Sequence, residues 1–509
     1  LAKICLIGVD IGTQGTKAAV YTPDGKTLAS AFRPSRLHSP APGVVEQDPE
    51  EMFAEFTGAV REAVEKAGVR PSFVAAIGID GQMAGVLGID RDWNAVTHYD
   101  SWLDTRCGKY IEHIKKTAED LVIRTTGCPV VGAHGPRMLW WKHERPEAWG
   151  RIARFVMPTA YIAGRLCGLK AENAWIDYTQ IHFSGFADVE RKAWSSELIR
   201  LFGMDGAKLP RIAEPWAIVG GLTHDAAEAL GLAPGTPVAA GCGDQAATSL
   251  GAGVTRPGLV FDVAGTASVF SCCVEKYTPD VQNKTILFAR SVIDGLWVPL
   301  AYISGGGLCL KWFRDGVCGG AYSYDELNEQ AATVRPGSEG LMFVPHFGGR
   351  TCPNDPAIRG SWLGLGWIHE RRHMYRSILE SIAYEYSYYY KLIRGLMIGP
   401  EAPRVIAIGG GAKSRLFSSI KADVLGIPYE PHALGDTATW GSAVVAGYGA
   451  GVFADIANAL TATAESGLEP VPPDMENHGR YAALAAAYEA LFGPLNRLYS
   501  ALGKPGEAK

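Results

Sequence analysis

An α/β fold in two related domains is predicted for this chain of 509 residues, and three observations carry the prediction. First, the run Gly8-Val9-Asp10-Ile11-Gly12-Thr13-Gln14-Gly15-Thr16-Lys17-Ala18-Ala19-Val20 is an apolar strand, a Gly/Thr-rich turn with one acid, and a second apolar strand. Second, Val260-Phe261-Asp262-Val263-Ala264-Gly265-Thr266-Ala267-Ser268-Val269-Phe270 is a weaker copy of that unit. Third, a chain of this length exceeds what a single core serves, so two large domains are expected. The two copies open the two halves. Strand signals resume at Gly258 after a helical stretch, which sets the expected domains at residues 1–254 and 255–509.

The elements follow in order. Residues 1–30 read as paired strands, with Pro23-Asp24-Gly25 as a further turn. A helix starts at Asp48-Pro49-Glu50-Glu51, with an acid at the N-cap and proline at the first helical position. Phe53, Phe56, Val60 and Val64 give it one apolar face. Residues 74–79 form a short buried strand ending at Asp80-Gly81-Gln82-Met83-Ala84-Gly85, so polar groups emerge at a strand end, where open α/β sheets place ligands. Helix and loop dominate from 100 to 235. Residues 237–250 then read as a strand, a glycine-flanked acid and a helix. In the second half Met374, Ile378, Ile382 and Glu385 lie along one long helix. Residues 404–408 are a buried strand ending in three glycines. A last helix over 481–502 presents Leu484, Tyr488, Leu491, Leu495 and Leu498, and Gly493-Pro494 interrupts it.

Composition narrows the function. Hydrophobic residues make up 47% and charged residues 20%, as in an ordinary soluble globular protein. A net charge of −5 argues against nucleic acid as the main partner. No secretory signal or membrane-spanning run is read, which makes the cytoplasm the expected location and excludes a membrane partner. The ten cysteines are scattered without zinc spacing, and strand alternation sends Cys272 and Cys273 to opposite faces. The twelve histidines form no metallohydrolase set.

Several residues have chemistry to offer. A Gly/Thr-rich turn brings backbone N–H groups close to phosphate oxygens, and Asp10 beside it can orient Mg²⁺ and its waters. An ordinary hairpin would use the same residues; the downstream copy favours the ligand. Asp244, between Gly243 and Gln245 at a strand end, can accept the proton of a hydroxyl attacking phosphorus. It equally suits a helix N-cap, and the two roles are compatible. Gly409-Gly410-Gly411-Ala412-Lys413-Ser414 lets a flat adenosine approach, with Ser414 as a hydrogen-bonding group, while matching neither G-x-G-x-x-G nor G-x-x-x-x-G-K-[ST]. A ligand-free turn is the alternative there, as it is for Ser304-Gly305-Gly306-Gly307. Trp102, Asp104 and Arg106 suit a polyhydroxylated ligand, or form a salt bridge beside a packed tryptophan.

Together these runs resemble the FGGY carbohydrate kinases, and within them the xylulokinase-like branch. The similarity takes in Asp10-Ile11-Gly12-Thr13, Gly81-Gln82-Met83, Trp102-x-Asp104-x-Arg106, Gly243-Asp244-Gln245, Gly265-Thr266, Pro345 with Gly349-Arg350-Thr351, Gly364-Leu365, the 409–411 glycines, Ala422-Asp423 and Gly441. The resemblance implies an actin-like ATPase (ribonuclease H-like) fold, with mixed central sheets around a cleft that closes on sugar and ATP. It implies Asp244 as catalytic base and Asp10 as the Mg²⁺-associated acid. Thr13, Gln14 and Lys17 would lie in the first phosphate turn, and Gly265 and Thr266 in the second. Gly307, Lys311, Gly410, Gly411 and Ser414 would contact the nucleotide. Gln82, Met83, Ala84, Trp102, Asp104, Arg106, Asp244 and Gln245 would form the sugar side. The implied reaction is transfer of the ATP γ-phosphoryl group to a primary hydroxyl of a ketopentose, with D-xylulose first. Another ketose, a short polyol or a silent sugar- or ATP-binding regulator are the alternatives. Family members are often dimers. Three departures stand out: Ala84 replaces a histidine that touches the sugar in xylulokinases, Gly348-Gly349-Arg350-Thr351-Cys352 replaces Gly-Glu-Arg-Thr-Pro, and Arg137 stands where a lysine is usual.

Overall fold

Alternation along the first strand decides how the N-terminal half is built. In the computed structural model, which describes residues 4–396, 404–432, 435–460, 463 and 468–502, strand Cys5–Ile11 is covered on both faces. Cys5, Ile7, Val9 and Ile11 point to one side, into a core with Met52, Phe56, Val60 and Ala63 of helix Pro49–Ala67. Leu6 points to the other, where Trp440, Ala443 and Val444 of helix Thr437–Gly449 pack. The helix lies on a glycine floor. Gly8 and Gly78 are register partners on neighbouring strands, and a Cβ on them would fall 1.7 Å from the Thr439 carbonyl oxygen and 1.8 Å from that of Ser442. Only a bare backbone admits that approach.

The two halves share one plan. In the first sheet Cys5–Ile11 pairs antiparallel with Gly15–Tyr21, which pairs antiparallel with Thr27–Pro34. On its other side Cys5–Ile11 pairs parallel with Val74–Gly81, which in turn pairs parallel with Pro237–Ala239 and Cys242–Gly243. In the second sheet Val260–Ala264 pairs antiparallel with Ser268–Cys272, which pairs antiparallel with Trp297–Ile303. Val260–Ala264 also runs parallel to Val405–Ile408, which runs parallel to Tyr429–Pro431. The internal copy in the sequence is therefore a copied, mixed sheet. Cys272 and Cys273 enter different cores, as strand alternation requires.

The helix after Asp48 begins as expected: the Asp48 carboxylate accepts from the Glu50 N–H at 2.7 Å, and Gly68 closes the helix at φ 61°. Phe56, Val60 and Val64 are buried, whereas Phe53 is half-buried under the Arg165 guanidinium, 4.1 Å from its ring centroid. Helix Arg371–Arg394 buries Ile378, Ile382 and Glu385. The last helical stretch is interrupted as expected, but slightly earlier, at Leu491, and with one of its apolar positions exposed. It is two helices, Met475–Ala490 and Phe492–Leu502, broken at Leu491 ahead of Gly493-Pro494. Tyr481, Tyr488, Phe492 and Leu495 are its buried side, while Leu498 is exposed. No helix among the described residues is long and apolar enough to cross a membrane.

Candidate functional site

Strand register assembles a carboxylate cluster at one end of the first sheet. Asp10 pairs with Asp80, and Asp80 with Cys242, so the segment carrying Asp244 leaves the sheet beside both acids. Asp10 follows Gly8 by two residues, as Asp80 follows Gly78, so both lie on the face covered by helix Thr437–Gly449. Ser442 of that helix donates to Asp80 Oδ2 at 2.5 Å. Burial and the nearby Asp436 charge push the Asp10 carboxyl up to about 6, against the hydrogen bond from Asp80 and the Lys17 cation. Burial and the Asp10 charge hold Asp80 well above the usual carboxylate range. Asp244 is raised to about 7 by burial and by Asp10, and the Gln245 N–H on its Oδ1 at 2.7 Å opposes the shift. Gly243 holds the N-cap position and Asp244 is the first helical residue, so Asp244 does not cap the helix in the manner expected.

The first turn is tied to this cluster. Gly12 N–H donates to the Gly15 carbonyl at 3.0 Å and closes it. The Thr13 hydroxyl accepts from the Trp102 indole at 2.8 Å and donates to Gln82 Oε1 at 3.2 Å; Gln82 in turn donates to Gln47 at 2.7 Å. The exposed Gln14 amide reaches the Thr266 hydroxyl at 3.3 Å, so the two threonine-bearing turns meet directly. Lys17 pairs with Asp436 at 2.6 Å, at the N-terminus of helix Thr437–Gly449.

The second sheet presents its own turn at the matching end. Val263 pairs with Ile408, so the turn after Ala264 lies beside the glycines after Ile408. The Thr266 carbonyl accepts from Gly307 N–H at 3.1 Å and Leu308 N–H at 3.2 Å, docking helix Gly306–Trp312 on the turn. A Cβ on Gly307 would fall 2.0 Å from the Gly265 carbonyl oxygen, which is why glycine stands there. Gly410 faces open space, Gly411 packs against Ala264, and Ser414 caps helix Arg415–Leu425 by accepting from Phe417 N–H at 3.2 Å. Its O–H remains available to donate. Lys311 is exposed and paired with Asp315.

On the sugar side the expected residues divide. Met83 lies against Gly243, where a Cβ would meet its sulfur at 2.5 Å, and so borders Asp244. Ala84 is buried with φ at +66°. Gln245 Oε1 is buried without a hydrogen-bond partner. Asp104 and Arg106 are committed to each other and to their neighbours. Asp104 accepts from Val45 N–H at 2.9 Å and Arg106 Nε at 2.8 Å, while Arg106 also pairs with Glu46 and Asp100. They brace the loop carrying Trp102. Asp80, Asp436 and Ser442 went unread as site residues. The signal for Asp80 was its register with Asp10, which a single strand run does not reveal.

Among the described residues no three His, Cys, Asp or Glu side chains make a ready-made metal cage. Mg²⁺ asks for less: one or two carboxylates, several waters and phosphate oxygens. The half-buried Asp10 carboxylate beside the first turn meets that requirement.

The site has known relatives. Residues 5–251 match the N-terminal domain of the FGGY family of carbohydrate kinases and residues 262–450 its C-terminal domain. A xylulose kinase of Staphylococcus epidermidis is 27% identical over 500 residues, spanning 98% of each chain. A gluconokinase of Bacillus subtilis is 27% identical over 432 residues, spanning 82% of each. The crystal structure of a ligand-bound xylulose kinase from Lactobacillus acidophilus superposes with a TM-score of 0.90 at 22% identity, over 98% of this chain and 100% of that one. At that identity it speaks for the fold, two domains with mixed sheets. The chain belongs to the FGGY family of carbohydrate kinases and is an ATP-dependent sugar kinase.

Proposed function

We propose that the chain phosphorylates a primary hydroxyl of a ketopentose, D-xylulose first, with Asp244 as the base. The observation that carries this reading is the position of Asp244: a half-buried carboxylate raised to about 7, beside Asp10 and bordered by Met83. A general base is most effective when its pKa lies near the working pH. The acceptor oxygen forms a bond to the γ-phosphorus of ATP, the bond from that phosphorus to the bridging β-oxygen breaks, and the hydroxyl proton passes to Asp244. Phosphoryl transfer asks mainly for alignment and charge neutralisation. Thr13, Gln14, Lys17, Gly265 and Thr266 supply the alignment at the phosphates. Gly307, Gly410, Gly411 and Ser414 border the nucleoside, with Lys311 at its outer edge. Asp10 would hold Mg²⁺, which when bound neutralises charge on the β- and γ-phosphates. Gln82, Met83, Ala84, Trp102 and Gln245 face the sugar, with Asp104 and Arg106 acting through the Trp102 loop.

The gluconokinase relative keeps a second acceptor class in play, a sugar acid. A panel of D-xylulose, D-ribulose, L-xylulose, xylitol, glycerol and D-gluconate, scored by Mg²⁺-dependent ADP release, tests the assignment. D-Xylulose should give the highest kcat/KM. A higher value with gluconate moves the assignment to the second class, and ADP release independent of any acceptor overturns both.

A further inference from the structure

Arg137, on helix His134–Glu144, is fully buried at 1% exposure. A buried guanidinium carries a heavy desolvation cost unless its donors are satisfied. Its two terminal nitrogens donate five hydrogen bonds, all to backbone carbonyls of three separate chain segments, while the buried Nε has no partner. Nη1 donates to Ala84 at 3.1 Å and to Gly132. Nη2 donates to Ser101 at 2.9 Å, Trp102 at 3.2 Å and Asp104 at 2.8 Å.

Two of those segments lie at the site, one bordering Asp244 and the other reaching the first turn. Ala84 directly follows Met83, which lies against Gly243. Trp102 sits between Ser101 and Leu103, and its indole reaches the Thr13 hydroxyl at 2.8 Å. Ala84 is also held at φ +66°, a left-handed conformation that L-residues avoid unless the surroundings impose it. The bond from Arg137 to its carbonyl is one such constraint. The planar fork of an arginine reaches both segments at once. A lysine ammonium, a point charge with three donors on an unbranched stem, cannot span them.

We propose that Arg137 is a positioning residue for the acceptor: by clamping the Ala84 and 101–104 carbonyls it sets the sugar-facing wall, and with it sugar affinity and selectivity, while leaving nucleotide binding alone. The inference rests on the sugar-kinase reading of the site. It assigns a task to a residue that touches neither substrate, so its test needs readouts that a purely structural role would not move.

The experiment compares wild-type protein with Arg137→Lys and Arg137→Met across D-xylulose, D-ribulose, xylitol and D-gluconate, with the KM for ATP and the melting temperature measured alongside. Arg137→Lys should raise the KM for the preferred acceptor tenfold or more. The ratio of kcat/KM between the best and second acceptor should fall at least threefold, and the KM for ATP should stay within twofold. Arg137→Met should show the same split more strongly. Acceptor KM and selectivity within twofold of wild type overturn the proposal, whatever the melting temperature does. So does a protein that fails to fold even with lysine at 137, because that result assigns Arg137 to folding. Failure of the sugar-kinase reading itself would appear in the wild-type protein, as ADP release independent of every acceptor, and is thereby distinct.

Discussion

Replacing Asp244 with asparagine removes a proton acceptor and little else. The side chains are nearly equal in size, and the amide oxygen can still accept the Gln245 N–H that the carboxylate accepts at 2.7 Å. Met83 keeps its place against Gly243, so the pocket keeps its shape. What disappears is a group with a pKa of about 7, ionised in roughly nine molecules of ten at pH 8. General-base catalysis contributes about 10²–10⁴ in rate, or about 3–5 kcal/mol of barrier. Asp244→Asn should therefore lower kcat by that factor at pH 8, measured by ADP release under saturating D-xylulose and ATP. The KM for ATP should stay within about twofold, since the amide touches neither phosphate turn. A variant that keeps more than a tenth of wild-type turnover refutes the assignment of Asp244 as base.

Further outcomes follow from the same geometry. Because the raised carboxyl of Asp244 is protonated, and useless as a base, below its pKa of about 7, kcat/KM for the sugar should fall about tenfold per pH unit on the acid side; a flat profile between pH 5 and 8 contradicts the reading. Gly307→Ala places a Cβ 2.0 Å from the Gly265 carbonyl, so the second turn must shift. The variant should lose about 1–3 kcal/mol of stability by denaturant unfolding, and its KM for ATP should rise more than that for the sugar. Glu385 pairs with Arg350 at 2.7 Å in the core, and its carboxyl is held down at about 2 against an ordinary 4.5, by Arg350 and His346 working against burial. A folded-state pKa below the unfolded one stabilises above the unfolded value and is lost as pH falls toward the folded one. That shift corresponds to about 3 kcal/mol at neutral pH. Arg350→Met should cost about that at pH 7 by leaving a buried carboxylate without its guanidinium, with His346 and the Tyr389 hydroxyl beside it, and the difference from wild type should shrink below about pH 4.

Much of this was legible in the sequence because it is local. The Asp48 cap, the proline after it and the 3.6-residue spacing of Phe56, Val60 and Val64 specify one helix without tertiary help. The two strand–turn–strand units were legible for the same reason, and their likeness foretold the shared sheet plan. What stayed hidden depends on partners distant in sequence. Helix Thr437–Gly449 goes unannounced, because its value lies in fitting the glycine floor of a strand more than 400 residues away, where a Cβ on Gly8 would strike Thr439. Asp80 looks like the end of a strand until register sets it beside Asp10. Asp104 and Arg106 carry the right chemistry for a sugar, but Val45, Glu46 and Asp100 claim their polar atoms. The interruption at Gly493-Pro494 was by contrast legible, being local: the break falls at Leu491 because a proline lacks the N–H for the preceding turn and crowds its carbonyl.

The most direct test is a crystal structure of the protein with D-xylulose and a non-hydrolysable ATP analogue. The primary hydroxyl should lie within about 3.2 Å of an Asp244 carboxylate oxygen and face the γ-phosphorus. A sugar bound with that hydroxyl turned away from Asp244, or with a different carboxylate in its place, would contradict the account.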